Sequence, residues 1–302
     1  MSRRGWWLAG GGAAIVLIAA GLWLWQSTSR TPTAEEAAAS YLQALESGDP
    51  SAVEATGVDA SPVALEAFAA ATALIEDAEV TSDPGDHSGA ETATVEIAFR
   101  LDGENHDAEL TLTPEGGRWT VDTSGFGSAT ATSTVGAFVS VGEAVLPAGE
   151  RTALLPAAYA VDAAPTSLLD GRSPLLVLPG EETEFAVEAT LRPEATAAAQ
   201  KALDAHLTTC TAPGSTPPEG CGIRIPWGTE FRSASEFRYR VEQLPAITLD
   251  GTGFHADAGV LISTVTGIGQ DGAERTTTYR TDSWSLRGEL SFTAEDLVLT
   301  VW

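Results

Sequence analysis

An uninterrupted run of twenty uncharged residues, Trp6–Trp25, stands near the start of this 302-residue chain. At about 1.5 Å of rise per residue, a helix of that length covers the roughly 30 Å hydrocarbon core of a bilayer. Trp6 and Trp7 at one end, with Trp23 and Trp25 at the other, suit the two lipid–water interfaces. The sequence therefore predicts a single-pass transmembrane helix over residues 6–25, with the lipid bilayer as its partner.

The charges around this run predict its orientation. Arg3 and Arg4 precede it, whereas the next charge after it is Arg30. Positive residues stay on the cytoplasmic side, so residues 1–5 are predicted to be cytoplasmic and the rest of the chain extracytoplasmic. A cleaved signal peptide is the alternative, but its apolar region is usually only about 7–15 residues long and ends at a small-residue site. The length of residues 6–25 and the tryptophans at the end favour an uncleaved anchor.

The two cysteines agree with export from the cytoplasm. Cys210 and Cys221 flank TAPGSTPPEG, a run of turn-forming residues that does not suit a helix. A disulfide closing this loop persists outside reducing compartments. Two unpaired thiols or half of a zinc site are the alternatives. Zinc needs about four ligands, and only His206 lies near in sequence, so the disulfide is favoured.

The chain is strongly acidic, with a formal net charge of −26. Residues 33–127 hold twenty acidic groups against two basic ones, Arg100 and Arg118. Such a field repels phosphate backbones, which argues against nucleic acid as a partner. Attraction of cations or of a basic partner is one interpretation of the charge. A solvated acidic surface that keeps an exported protein soluble is the other, and the favoured one.

Two helices are predicted after a short linker over residues 26–32. Thr33 with Glu36 three positions later forms a capping box at the start of the first helix. Gly48 and Pro50 are expected to end it. A second helix is predicted to begin at Ser61-Pro62, a favourable N-cap and first-turn pair.

The hydrophobic period then changes from that of a helix to that of strands. Residues 92–101 alternate apolar and polar side chains, as do residues 108–112 and the segment around Trp119 and Val121. Turn residues such as Asp102-Gly103 separate these runs, which indicates an antiparallel meander with one buried face. Two helices on one face of such a sheet make an α+β domain.

Two short motifs carry a family resemblance. AAASYLQALESGDPSAV in the first helix and GGRWTVD in the last strand resemble the NTF2-like (cystatin-like cone) domains of exported, single-pass bacterial membrane proteins, over residues 33–125. The resemblance implies a curved sheet closed by helices into a cone, sometimes with a ligand pocket and often without catalysis. Candidate residues for the lining of that pocket are Tyr41, Phe68, Phe99 and Trp119, although a plain hydrophobic core is the favoured interpretation of these aromatic side chains. The architecture of the whole chain loosely resembles that of TcaA-like proteins.

The remainder of the chain is rich in predicted strands. Residues 124–134 are expected to be a linker of small residues. Residues 135–193 contain short alternating runs broken by proline and glycine, which predict a small β-sandwich. Residues 194–302 are predicted to form a helix followed by an antiparallel sheet, with the disulfide loop between them. The fold-class prediction is therefore α+β: a transmembrane helix, an NTF2-like cone, a β-sandwich and a C-terminal β-rich α+β domain.

The sequence shows no recognisable catalytic constellation. It contains no G-x-S-x-G elbow, no P-loop and no H-E-x-x-H motif. The four histidines lie far apart in sequence, at His87, His106, His206 and His255. The first two lie among acidic residues; polar hairpin tips are favoured there over a cation site. No catalytic residue, cofactor or resident metal is predicted.

Arg238 and Arg240, two apart on one predicted strand, share a face and lie near Arg232. They suit either the grip of an anionic group or, as favoured in this acidic chain, the neutralisation of neighbouring carboxylates.

These features predict a membrane-anchored, extracytoplasmic protein of the bacterial cell envelope. Its favoured role is non-catalytic binding or regulation, with an envelope protein or a cell-wall component as partner. The alternative is a small-molecule-binding or enzymatic domain that uses the cavity of the cone. A cation-binding ectodomain is a third hypothesis.

Overall fold

The structure is a computed structural model that describes residues 32–83, 85 and 90–302. The predicted transmembrane helix over residues 6–25 lies outside the described residues, and so does His87. The residues predicted to lie at the membrane interfaces are also outside the described ranges: Arg3, Arg4, Trp6, Trp7, Trp23 and Trp25. Within the described ranges, no helix combines the length and the apolar character that crossing a membrane requires.

The α+β fold-class prediction, with its NTF2-like cone, is wrong. Half of the described residues lie in strands and about a fifth in helices, so the chain is mostly β. Two compact units are present. The first contains residues 32–59 and Ile75–Gly125, and the second contains Ala60–Leu74 and Phe126–Trp302. The second predicted helix belongs to the second unit, so the two helices expected on one sheet do not share a unit.

The first helix of the first unit, α1, spans Ala34–Ser47 and has the predicted caps. The Thr33 hydroxyl accepts a hydrogen bond from the Glu36 amide at 3.2 Å, and the Glu36 carboxylate accepts one from the Thr33 amide at 2.9 Å. These bonds satisfy amide donors that a helix start otherwise leaves free. Gly48 ends the helix with φ 68°, in the left-handed region that glycine adopts without steric cost. The capping prediction is confirmed.

A short second helix, α2, spans Pro50–Ala55. Asp49 is its N-cap and accepts a hydrogen bond from the Ser51 amide at 2.9 Å. Pro50 lies in the first turn, where a missing amide hydrogen costs nothing. The residue expected to end the first helix therefore begins the next one.

The first unit also contains a four-stranded antiparallel sheet in the order β1-β2-β3-β4. Its strands span Glu76–Val80, Ala93–Leu101, Glu104–Glu115 and Arg118–Val121. Alternate side chains of β2 are buried, as the period of two predicts. Helix α1 packs against this sheet through its buried face, which includes Tyr41, Leu42 and Leu45.

Replacing Tyr41 with Phe is expected to lower the free energy of unfolding by about 1–3 kcal/mol. The Tyr41 hydroxyl is buried and donates to the Gly125 carbonyl at 2.7 Å. Without it, that buried carbonyl loses this donor, while the ring still fills the same space. Urea denaturation with an unchanged m-value measures the effect. A midpoint equal to that of the wild type would contradict it.

The second unit begins with helix α3, Pro62–Ala69, capped by the Ser61 hydroxyl as predicted. Two sheets follow, of four strands in the order β11-β9-β6-β7 and of three in the order β12-β5-β8, with a short β10–β13 pair. Their bounds are Gly127–Ser133 (β5), Phe138–Val141 (β6), Ala144–Pro147 (β7), Arg151–Leu154 (β8), Ala157–Ala164 (β9), Leu169–Asp170 (β10), Arg172–Val177 (β11), Glu182–Val187 (β12) and Thr190–Leu191 (β13). The linker prediction for residues 124–134 is wrong, because β5 lies there and pairs in parallel with β12.

Tyr159 lies in the centre of β9, 2% exposed, and its hydroxyl donates to the Leu155 carbonyl at 2.6 Å. Burial raises the pKa of this phenol far above its ordinary value of 10.0. The folded protein therefore keeps Tyr159 protonated at a pH where the unfolded chain has released the proton.

Stability should consequently fall as the pH rises above about 10. The contribution of Tyr159 is complete below the pKa of the unfolded chain and is lost as the pH rises toward that of the folded state, at about 1.4 kcal/mol per pH unit. Urea midpoints measured from pH 8 to pH 12 give the slope. Tyr159→Phe removes the ionisable group, so its slope should be shallower, and equal slopes would contradict the prediction.

The C-terminal part of the second unit consists of helix α4 and a five-stranded antiparallel sheet. Helix α4 spans Pro193–Cys210, as its apolar spacing predicts. The sheet has the order β14-β16-β17-β18, and β15 also pairs with β16. Its strands span Phe231–Gln243, Ala246–Asp250, Gly253–Gly269, Glu274–Phe292 and Leu297–Val301. Strands β16 and β17 exceed the usual strand length of 3–10 residues.

Candidate functional site

The long strands β14, β16 and β17 place charged side chains side by side on one face of the C-terminal sheet. Arg240 and Arg280 flank Ile262 in one cross-strand row, and Arg238 pairs with Thr264 in the next. The residues that we call the charged ladder are Arg238, Arg240, Glu242, Arg280 and Asp282. The guanidinium side chains of Arg238, Arg240 and Arg280 are 66%, 67% and 48% exposed, so solvent reaches them.

Ion pairs hold the side chains of the charged ladder in place. Glu242 accepts hydrogen bonds from Arg240 at 2.9 Å and from Arg280 through its other oxygen. Arg280 also donates to Asp282 at 2.5 Å. The hydrogen bond from Arg280 holds the pKa of the Glu242 carboxyl below its usual range, and the charges of Arg280 and Arg240 add to the effect. Because water screens exposed pairs, this network orients the side chains more than it stabilises the fold.

Threonines continue the same face toward the β16–β17 turn. The hydroxyls of Thr264 and Thr278 lie 3.3 Å apart, and those of Thr266 and Thr276 lie 3.1 Å apart. Ile268, at the end of this row, is 38% exposed. The face therefore offers charge, hydroxyl and apolar groups in a regular array.

The opposite face of these strands is packed. Phe231, Phe237 and Val265 form a buried cluster, and Trp227 packs on it with its ring 5.5 Å from that of Phe237 at an interplanar angle of 81°. Edge-to-face contacts of this kind favour one fixed arrangement. Packing on the covered face therefore fixes the positions of the strands, and with them the positions of the side chains on the exposed face.

The predicted disulfide is present between Cys210, the last residue of α4, and Cys221 in the following loop. Both residues are buried, and their Cα atoms lie 5.7 Å apart. The imidazole Nε2 of His206 lies 3.3 Å from the Cys210 sulfur. The bridge fastens the loop to the helix, which packs against β15 and β18.

No family model, curated protein or solved structure matches the chain.

The interpretation of Arg238 and Arg240 as partners of carboxylates is confirmed. Arg238 pairs with Glu236 at 2.8 Å and Arg240 with Glu242. Sequence reasoning did not find Arg280 or Asp282. Arg280 lies 38 residues after Glu242, its partner in the structure. The alternation in RTTTYRTD is the only signal for them, and it does not reveal the register with β14.

The four aromatic residues proposed as a pocket lining do not belong to one unit. Tyr41, Phe99 and Trp119 belong to the first unit, whereas Phe68 lies on α3 in the second. Tyr41 and Phe99 are buried, and Trp119 is half-buried. A groove of about 430 Å³ in the first unit, between α1 and α2, is lined by other residues that are small or polar.

The described histidines do not come together. His106 was expected at a polar hairpin tip, but it lies on β3 with its ring stacked 5.6 Å from that of Phe99. His255 is an exposed residue of β16, 3.9 Å from the Asp257 carboxylate. His206 lies beside the disulfide, close to the sulfur atoms of Cys210 and Cys221.

Proposed function

We propose that this chain is a membrane-anchored, extracytoplasmic binding or regulatory module of the bacterial cell envelope. Its partner is an envelope protein or a cell-wall component. The single observation that carries the proposal is the disulfide between Cys210 and Cys221. Both sulfurs belong to the packed interior of the second unit, so the bridge is part of the fold. Structural bridges of this kind persist outside reducing compartments.

The charged ladder supports a binding role. Its arginines and carboxylates are exposed but already oriented by one another, so little side-chain entropy is lost when a partner binds. Charges of both signs along one face favour a protein partner with a complementary alternating pattern. The exposed face would therefore favour a partner whose positive and negative groups lie opposite its own carboxylates and arginines.

A protease test on intact cells addresses the location. Full-length protein with a C-terminal tag is expected to be digested from outside while it remains in the membrane fraction. Leu17→Arg should release protein from that fraction, because an arginine at the centre of a spanning helix costs about 2.5–3.5 kcal/mol. Leu17→Ala is the control. A tagged body that resists protease in intact cells but not in lysed cells would refute the location.

Charge reversal tests the binding role. Chemical crosslinking in intact cells is expected to attach a specific envelope component to the wild-type chain. The double variant R240E/R280E should reduce that crosslink at least about tenfold, because it places like charges opposite the partner. The matched control R151E/R172E changes the net charge equally, at exposed arginines of β8 and β11 that also pair with acids. Equal crosslinking by both double variants would refute the role of the ladder.

A further inference from the structure

One imidazole and two sulfurs, which the disulfide joins in this structure and which become metal ligands only as thiolates, lie together at the end of α4. They are the imidazole of His206 and the sulfurs of Cys210 and Cys221, and their ligand atoms all lie within 4.8 Å of one another. The His206 Nε2 is 3.3 Å from the Cys210 sulfur and 3.3 Å from the Gly220 carbonyl oxygen. His206 and Cys210 are four apart on one helix, so the helix itself places them on one face.

This spacing is close to that of a zinc site. With Zn–S near 2.3 Å and Zn–N near 2.0–2.1 Å, a tetrahedral ion separates its sulfur and nitrogen ligands by roughly 3.6 Å. The pair formed by His206 and Cys210 is already near that distance. Once the sulfur–sulfur bond is opened, the second sulfur must move outward by roughly 1.7 Å, from the bonded distance of about 2.05 Å to the roughly 3.8 Å that separates two sulfurs on one tetrahedral ion.

Cys221 lies between two glycines, the residue type whose backbone adapts most readily to a new conformation. Gly220 and Gly222 on either side of it have φ values of 68° and 60°, in the left-handed region. The loop therefore returns to the helix through two residues whose backbones have wide conformational freedom. His206 is half-buried, so one side of the cluster opens to solvent.

We propose that the reduced form of the chain binds one Zn²⁺ ion through His206, Cys210 and Cys221, with water in the fourth position. A dithiol first reduces the disulfide to two thiols, giving up two electrons and two protons and becoming a disulfide itself. A phosphine does the same with one water molecule, which supplies the two protons while its oxygen ends on the phosphine oxide. Zinc then displaces the two thiol protons and binds both thiolates and the neutral imidazole. Metal binding at this site therefore depends on the redox state: oxidation joins the two sulfurs in a disulfide and removes them as ligands, and reduction restores them.

The proposal is independent of the binding role of the charged ladder. It rests on the proposed export of the chain, because a chain made in a reducing compartment carries both thiols free until it is exported, and the zinc form belongs to that stage. Zinc would then hold the loop against α4 at the stage when the covalent bond is absent.

Metal titration of the full-length chain tests the site. Protein in detergent is reduced with a phosphine and titrated with Zn²⁺ against a competing chelator, and with Co²⁺ as a spectroscopic probe. The reduced wild type is expected to bind one Zn²⁺ and to show thiolate-to-cobalt charge-transfer absorption. The oxidised wild type should show neither. His206→Ala should weaken zinc binding about tenfold or more, because it removes one of three ligands, whereas H255A at an exposed histidine of β16 should not.

Thermal melts show whether each variant is folded and whether zinc stabilises it. Each variant is first melted in its oxidised form, where the disulfide should give all of them a folded second unit. Zinc should then raise the melting temperature of the reduced wild type, and less that of reduced His206→Ala. The proposal is overturned if the reduced wild type retains no zinc, if zinc leaves its melting temperature unchanged, or if H206A binds zinc as tightly as the wild type.

Discussion

The double variant C210A/C221A is expected to lose about 3 kcal/mol of unfolding free energy relative to the oxidised wild type. The bridge joins residues 11 apart in sequence, and closing a loop of that size removes conformational entropy from the unfolded chain. In the folded state, the variant also lacks the covalent link between α4 and the end of the 211–220 segment. Urea denaturation under non-oxidising and oxidising conditions measures the change.

Reductant provides the matched control for this prediction. In metal-free buffer it should lower the midpoint of the wild type to about that of C210A/C221A, and it should leave the double variant unchanged. A reductant effect on the double variant would show that the loss has another source. Equal midpoints for the oxidised wild type and the variant would contradict a stabilising role of the bridge.

Replacing Gly288 with Ala is expected to destabilise the second unit by about 3 kcal/mol, near the upper end for overpacking. Gly288 lies on β17 between Phe254 and Val301 in neighbouring strands. A methyl group there would overlap the Thr300 carbonyl oxygen and approach Phe254 Cε1 to 2.5 Å. The backbone oxygen cannot rotate away, so strand β18 or the ring of Phe254 must shift.

Gly253→Ala is the control for this substitution. Gly253 also lies in the C-terminal sheet, at the start of β16, but a methyl group there meets its nearest atom at 3.4 Å, an ordinary contact. Thermal melts should show a loss on the order of 5–10 °C for Gly288→Ala and little change for Gly253→Ala. Similar melting temperatures for the two variants would contradict the steric explanation.

The helix ends were predictable because their causes are local. The capping box of Thr33 and Glu36, the left-handed Gly48 and the cap at Ser61 all act within four residues along the chain. The disulfide was predictable for a similar reason, since a turn-rich loop separates two cysteines in a chain expected to be exported.

The unit to which each element belongs was not predictable in the same way. Helix α3 has the apolar spacing of any amphipathic helix, and nothing in Pro62–Ala69 states which sheet its buried face will meet. The small residues of β5 predict a linker when they are considered alone. Their strand partner, β12, lies more than 50 residues further along the chain. Parallel pairing between such distant segments leaves no local signature.

The charged ladder shows the same limit at the candidate site. Sequence placed Arg238 and Arg240 on one face, because a strand alternates its side chains. Only the register of β14, β16 and β17 brings Arg280 to Glu242. Likewise, the helix placed His206 beside Cys210, but the returning loop decided that Cys221 meets them both.

By itself, the sequence determined the caps at Thr33, Gly48 and Ser61, the alternation of the strands and the pair of cysteines, because each depends on neighbours in the chain. The tertiary structure alone decided that the chain is mostly β, which unit each helix joins and which charges meet. Those outcomes depend on contacts between distant segments, whose free energy comes from burial and register that the local pattern does not contain.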